Sequence, residues 1–230
     1  QKLRNHKKFK QIPIESRTLY GSNKKMGKGA VRMWLEIVPN KRNEEFPITP
    51  LIAQNMERYE LRIIIWNTRD VPLVDGKVSI QVRGQMHDGQ KDTTFETDTH
   101  RNSKDGLGEF NWRFVIPFFF PNNKSQLTLS IYNDNLITKD EILGSVNIDM
   151  KKYFYNLHKS KSLVEFSKEW IPLEPSAQFS SSYDIGGEIE LEMKILTSQE
   201  AEANKVGKGR EEPNKDPFLE TPKNGRDFMD

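Results

Sequence analysis

The chain contains no cysteine. That excludes disulfides, thiolate nucleophiles and sulfur-ligated zinc together, and it leaves a protein indifferent to a reducing compartment. Histidine is scarce: His6, His87, His100 and His158 are scattered, with no paired metal motif among them. No Gly-x-Ser-x-Gly and no phosphate-binding glycine loop is present, so the sequence offers an enzyme little. His100 beside Arg101 reads as a strand end, not a general base. Long apolar runs are also missing. Ile63 to Trp66 and Val115 to Phe120 fall far short of the roughly 20 residues a membrane span needs, and no signal-peptide pattern opens the chain. Because it begins with Gln1, it is expected to be a piece of something longer. A dominant charge sign is lacking too: 35 Lys and Arg stand against 33 Asp and Glu, a net +2. So weak a field does not argue for nucleic acid, and any basic surface must be local.

What is present is enough for one core. The 230 residues are 35% apolar and 30% charged, which suits a single charged, folded domain with flanks. Residues 1 to 29 are basic and polar and read as linker, followed by an alternation of Val31, Met33, Leu35 and Ile37 and then the breakers Pro39, Pro47 and Pro50. From Tyr59 onward apolar and polar residues alternate at period two between turn signals. Tyr59, Leu61, Ile63 and Ile65 share a face, as do Val78, Ile80 and Val82. Phe95, Thr97 and Thr99 follow, then Phe110, Trp112, Phe114 and Ile116, then Leu127, Leu129 and Ile131, then Val146, Ile148 and Met150. Ile189, Leu191, Met193 and Ile195 point inward against outward Glu188, Glu190, Glu192 and Lys194.

With a short segment at Trp170 to Leu173 this predicts about eight strands and no strong helix beyond Lys151 to His158. The fold class is therefore all-β, an antiparallel two-sheet sandwich. The boundaries expected are 1–50 for the linker with its strand-like segment at 29–38, 51–197 for the sandwich, and 198–230 for an extended, polar tail. One internal echo bears on them: Gly29 to Val38 (GAVRMWLEIV) resembles Gly187 to Leu196 (GEIELEMKIL). It is either chance β-patterning or a strand left from a preceding repeat.

A sandwich alone says nothing about function. An ordered set of motifs does: YELRIIIWNTRD at Tyr59 to Asp70, FETDTH at Phe95 to His100, GLGEFNWRFVIP at Gly106 to Pro117, IYNDNLITKDEILG at Ile131 to Gly144, and EAEANKVGKGREEP at Glu200 to Pro213. Together they resemble the carboxy-terminal C2 domain of the ferlins, multi-C2, single-span proteins of membrane traffic, over about residues 29 to 225. The resemblance implies a module at the cytoplasmic face of a vesicle or plasma membrane, acting in docking or fusion. It also implies that Glu211 to Pro222 leads toward a membrane anchor.

In that family, calcium is held where carboxylates of two loops converge on a hard cation. Carried over position by position, the first loop keeps Asp75 but has Ser79 where an aspartate is expected. The other loop has Asn133 and Asn135 in place of an Asp-x-Asp pair, with Asp134 turned away by strand alternation. Thr138 matches a weak oxygen ligand, and Glu141 holds the last acidic position beside Asp140. Three expected carboxylates are thus neutral, so calcium is disfavoured as a cofactor, with Asp75, Asp140 and Glu141 left as a weak site or as solvated loop charges.

Without calcium another attraction must bring this end to lipid. Leu73 and Val74 in one loop and Leu136 and Ile137 in the other, flanked by Arg69, Lys77, Lys104 and Lys139, suit shallow insertion into an anionic phospholipid membrane. The alternative is that these aliphatics fold back over the sandwich end. Phe118 and Phe120 alternate into the core. Lys151, Lys152, Lys159 and Lys161 form either a lateral basic patch or ordinary solvated surface. The rival function is an interaction module, in which the domain docks other domains of its own chain or fusion machinery.

Overall fold

The structure is a computed structural model describing residues 15–20, 27–33, 56–88, 91–121, 125–135, 139–160, 163–210, 212 and 217–223. The chain divides into two compact units, 1–53 and 54–230. In the first, β1 (Glu15–Tyr20) pairs antiparallel with β2 (Gly27–Met33), Leu19 lying opposite Gly29. A strand thus forms inside a stretch read as linker. Thr18, Leu19 and Tyr20 are good strand formers, but the strand's 6 residues are too few for their pattern to stand out among the basic residues around them. Of the strand-like segment at 29–38, residues 34–38 lie outside the described residues.

The second unit runs β3 (Glu57–Arg69), β4 (Val78–His87), β5 (Asp92–Ser103), β6 (Gly108–Phe120), β7 (Gln126–Asn133), β8 (Glu141–Asp149), α1 (Lys151–Ser160), β9 (Val164–Pro172), the two-residue β10 (Glu174–Pro175), β11 (Glu188–Thr197) and α2 (Ser198–Ala203). One sheet has the order β6-β3-β11-β9, the other β10-β8-β7-β4-β5, and every pairing is antiparallel. The eight long strands are those the alternation predicts, with the Trp170 segment extended into nine-residue β9.

Period-two burial places the core between the sheets. Leu61, Ile63 and Ile65 of β3, Ile80 and Val82 of β4, Leu127, Leu129 and Ile131 of β7, and Ile189 and Ile195 of β11 are fully buried. The end of the sandwich where β3 begins is closed by α1. Phe154 and Leu157 of its apolar face are buried, and Phe154 stacks on Phe118 with centroids 3.8 Å apart. Phe118 and Phe120 face inward while Phe119 between them is exposed, as alternation along β6 requires. On the outer face, Glu190 and Glu192 accept hydrogen bonds from Asn67 and Trp66, and Glu188 pairs with Arg69.

The stretch after β11 departs from expectation. Instead of leaving as an extended tail, it forms α2, whose capping box joins the Thr197 side chain and backbone to Glu200. The Arg62 guanidinium donates to the carbonyls of Ala201 and Asn204 (3.4 and 2.7 Å), closing carbonyls that a helix end leaves without partners. Farther on, Leu219 is buried. Arg62 and Arg113, in distant strands, hold parts of this stretch. No periodicity within the tail reports that.

Candidate functional site: the loop end

Strand direction brings three loops to the end of the sandwich opposite α1: 70–77 between β3 and β4, 104–107 between β5 and β6, and 134–140 between β7 and β8. The first two touch, since the Val71 N–H donates to the Gly106 carbonyl (3.4 Å). Gly106 has φ +73°, and a Cβ there would lie 2.6 Å from the Val71 oxygen, so the approach admits only glycine.

Asp75 occupies a two-residue turn. Val74 and Lys77 exchange backbone hydrogen bonds (3.0 and 3.2 Å) around Asp75 and Gly76, whose φ angles are +54° and +79°. A tight turn with both central residues left-handed selects Asp-Gly, so turn geometry accounts for this aspartate. Its side chain is exposed, as is Lys77, whereas Leu73 and Val74 are half-buried and pack on the core.

The centre of the loop end is an amide. Asn133 is 6% exposed; its Oδ1 accepts from the Ser79 N–H (3.0 Å), and its Nδ2 donates to Asn135 Oδ1 (3.3 Å) and Glu141 Oε2 (3.4 Å). Ser79 ties in the other loops, its carbonyl accepting from the Asp134 N–H (2.8 Å) and its hydroxyl from the Asn102 N–H (3.4 Å). Asn135 continues the network, donating from Nδ2 to the Lys139 carbonyl (3.1 Å) and from its backbone to Asp140 Oδ1 (3.1 Å). Asp134, just past the end of β7, accepts from the Thr99 hydroxyl (2.6 Å) and faces Arg101 (3.5 Å).

Asp140 is engaged on both oxygens, because Arg83 of β4 pairs with its Oδ2. Hydrogen bonding to that guanidinium, opposed by burial and helped by the Asn135 N–H, holds the Asp140 carboxyl below the usual carboxylate range. Asp105 in the second loop is lowered as well, first by the Leu107 N–H and then by the Ser103 hydroxyl. Arg83 went unremarked in the sequence. Alternation from Val82 puts it outward, but nothing local names a partner 57 residues away.

This donor set does not fit a hard dication. Such an ion needs converging oxygens carrying negative charge, but the position at the centre presents N–H groups to its neighbours, and the nearest aspartate is neutralised by an arginine. Among the described residues no group of three His, Cys, Asp or Glu side chains could hold a metal. Leu136, Ile137 and Thr138 lie outside the described residues.

Of the basic residues expected at a lipid surface, Arg69 is paired with Glu188 and lies over the Trp170 ring (4.2 Å to its centroid). Lys77, Lys104 and Lys139 are exposed. Leu107, at the tip of the second loop, is 50% exposed and was not foreseen. Its position next to Gly106 at a strand start was the available signal. Beside it runs an open groove of about 640 Å³ bordered by Arg69, His100, Arg101, Lys104, Leu107 and Trp170.

Comparison with known proteins fits this architecture. The C2 domain family model matches residues 59–168. "Ferlin 1" of Toxoplasma gondii is 34% identical over 221 residues, covering 95% of this chain and 15% of that protein. This is a ferlin C2 domain. Myoferlin of Xenopus tropicalis is 30% identical over 256 residues, covering 91% of this chain and 13% of its own length, so the chain spans only about a seventh of these relatives. Among solved structures, the calcium-bound pair of C2 domains of Extended-Synaptotagmin 2 aligns at a TM-score of 0.45 and 17% identity, over 61% of this chain and 46% of that one. No helix among the described residues is long and apolar enough to cross a membrane.

Proposed function

We propose that this ferlin C2 domain is a non-catalytic, calcium-independent membrane module: the carboxy-terminal one of its protein, followed by a membrane span, at the cytoplasmic face of a vesicle or plasma membrane. Its role is docking, fusion or regulated exocytosis. The observation that carries the reading is Asn133. A neutral amide stands where the resemblance calls for an aspartate and ties Ser79, Asn135 and Glu141 together, so the loop end offers little negative charge to a dication. Its attraction for anionic phospholipid then comes from Lys77, Lys104 and Lys139, each contributing about 1 kcal/mol near an anionic surface, and from the apolar tip Leu107.

Co-sedimentation with phosphatidylserine vesicles, with calcium and with chelator, tests this. Equal, salt-sensitive binding in both conditions is expected, together with no heat on calcium titration. A large calcium response overturns the reading. Absence of binding under every condition assigns the domain instead to contacts with other domains of its chain or with fusion machinery.

A further inference from the structure

The segment after β11 reverses the chain. β11 begins at the loop end, with Glu188 opposite Arg69, and finishes at the far end, with Thr197 opposite Tyr59. α2 is fastened there by the Ser198 hydroxyl to the Arg58 carbonyl (2.6 Å) and by Arg62. The chain then returns along β6. Gly209 donates its N–H to the Arg113 carbonyl (2.7 Å), and the Arg113 guanidinium, 1% exposed, donates to the Pro217 carbonyl (2.6 Å). Arg210 bridges the two sheets at their open edge: it pairs with Asp98 of β5, donates to the Phe110 carbonyl of β6 (3.2 Å) and lies over Trp112 (5.0 Å). Asn111 donates to the Glu220 carbonyl (3.1 Å), and the Lys223 N–H reaches Glu109 (3.3 Å). The partners run from Arg113 to Glu109, toward the loop end.

We infer that residues 198–210 and 217–223 form a docked strap that delivers whatever follows it to the loop end and so holds that end, with Lys104 and Leu107, against the bilayer. The inference rests on the reading that a membrane span follows this tail. Distances make the strap decisive. From Phe118, level with the end of β11, to Glu109 along β6 is about 30 Å at ~3.3 Å per residue. Docked, the chain leaves the domain after Lys223, level with Glu109 at the loop end, so whatever follows is delivered there. Undocked, it leaves after α2 at the far end, about 30 Å away, and imposes no orientation on the loop end. The surface presented is suitable, since Leu107 is half exposed and Lys104 has no ion pair among the described residues.

The absence of cysteine makes the test clean. The 230-residue chain carries a hexahistidine tag after Asp230 and is bound to uncharged phosphatidylcholine vesicles containing nickel-chelating lipid and a spin-labelled phosphatidylcholine quencher. A fluorophore is placed at Leu107→Cys or, at the far end on exposed α1, at Tyr155→Cys. Quenching is expected to be several-fold stronger at position 107 than at 155. Arg210→Glu with Leu219→Ser is expected to bring the two together while the sandwich still unfolds cooperatively. Equal quenching in the parent chain, or a ratio unmoved by those substitutions, overturns the inference. Should the double variant not fold, amide exchange in the parent decides: the Gly209 N–H is expected to be strongly protected, and exchange at an unfolded rate overturns the strap. Because the vesicles are uncharged, this outcome is independent of whether the untethered domain binds anionic lipid.

Discussion

The two ends of the sandwich are closed by opposite chemistry. At the α1 end, aromatic rings do it: Phe118 and Phe120 meet Phe154, and the Tyr59 hydroxyl reaches His158 Nδ1 at 2.8 Å. At the loop end the closure is a network of amides, hydroxyls and two arginine-carboxylate pairs, Arg83 with Asp140 and Arg101 with Asp134, around Asn133. Apolar contacts lose all their stabilisation when a ring is removed, because the neighbours cannot collapse to fill the space. Polar networks respond to charge. One end therefore sets stability, and the other is where small chemical changes alter behaviour. The sharpest break of this contrast is Phe154→Ala. It is expected to cost about 3–5 kcal/mol in denaturant unfolding, yet to leave vesicle binding per folded molecule unchanged. A loss of binding in the folded fraction would join the two ends in one function.

Asn133→Asp acts at the other end. The carboxylate still accepts from Ser79, but both donors vanish and a like charge faces Glu141. A destabilisation of about 1–3 kcal/mol in chelator is expected from the unsatisfied and repelled groups. Combined with Asn135→Asp, the substitution creates converging carboxylates, and calcium should then raise the melting temperature, with affinity in the weak range of about 10⁻⁴–10⁻³ M. A double variant that shows no calcium response would mean that Arg83, by holding Asp140, also suppresses the site.

Thr197→Ala probes the junction between the ends. It removes the hydroxyl that caps α2 through the Glu200 N–H (3.3 Å), a loss of about 1 kcal/mol. Since α2 starts the strap, amide exchange at Gly209 should rise more than exchange in β3. A uniform rise across the sandwich would make the helix part of the core, not the start of a separate dock.

How much of this was legible follows from where each signal resides. Alternation named the eight long strands and the inward set from Leu61 to Ile195, because burial on one face of a strand is written in the residues of that strand. Asn133 and Ser79 could be read as substitutions in a calcium site, but not as partners: a hydrogen bond across 54 residues has no local pattern. Leu73 and Val74 could be read as tips or as cover; that they pack on the core beside the tight Asp75-Gly76 turn is visible only in the folded loop. The strap was missed although its capping box, Thr197 with Glu200, stood in the sequence. Its other anchors are backbone carbonyls, which no sequence distinguishes, and contacts such as Arg210 with Asp98 and Lys223 with Glu109, which join positions 112 and 114 residues apart and leave no local pattern.

The smallest expected effect is a titration. Asp140 is held below the ordinary carboxylate range by Arg83, so its folded-state pKa lies below its unfolded one. The contribution of the pair is therefore complete above the unfolded value, ordinarily ~3.9, and is lost as pH falls through the depressed folded value. The Asn135 N–H, which donates to Asp140 Oδ1, reports this directly: its amide resonance should titrate with a midpoint below ~3.9, and Asp140→Asn should abolish the transition. Amides around the aromatic end, such as that of Phe154, which donates to the Met150 carbonyl, should not follow it. A midpoint at or above the ordinary value would mean that Arg83 does not hold the carboxylate in solution. Asp140 would then be available to a cation, and the polar closure of the loop end would be looser than the aromatic one opposite.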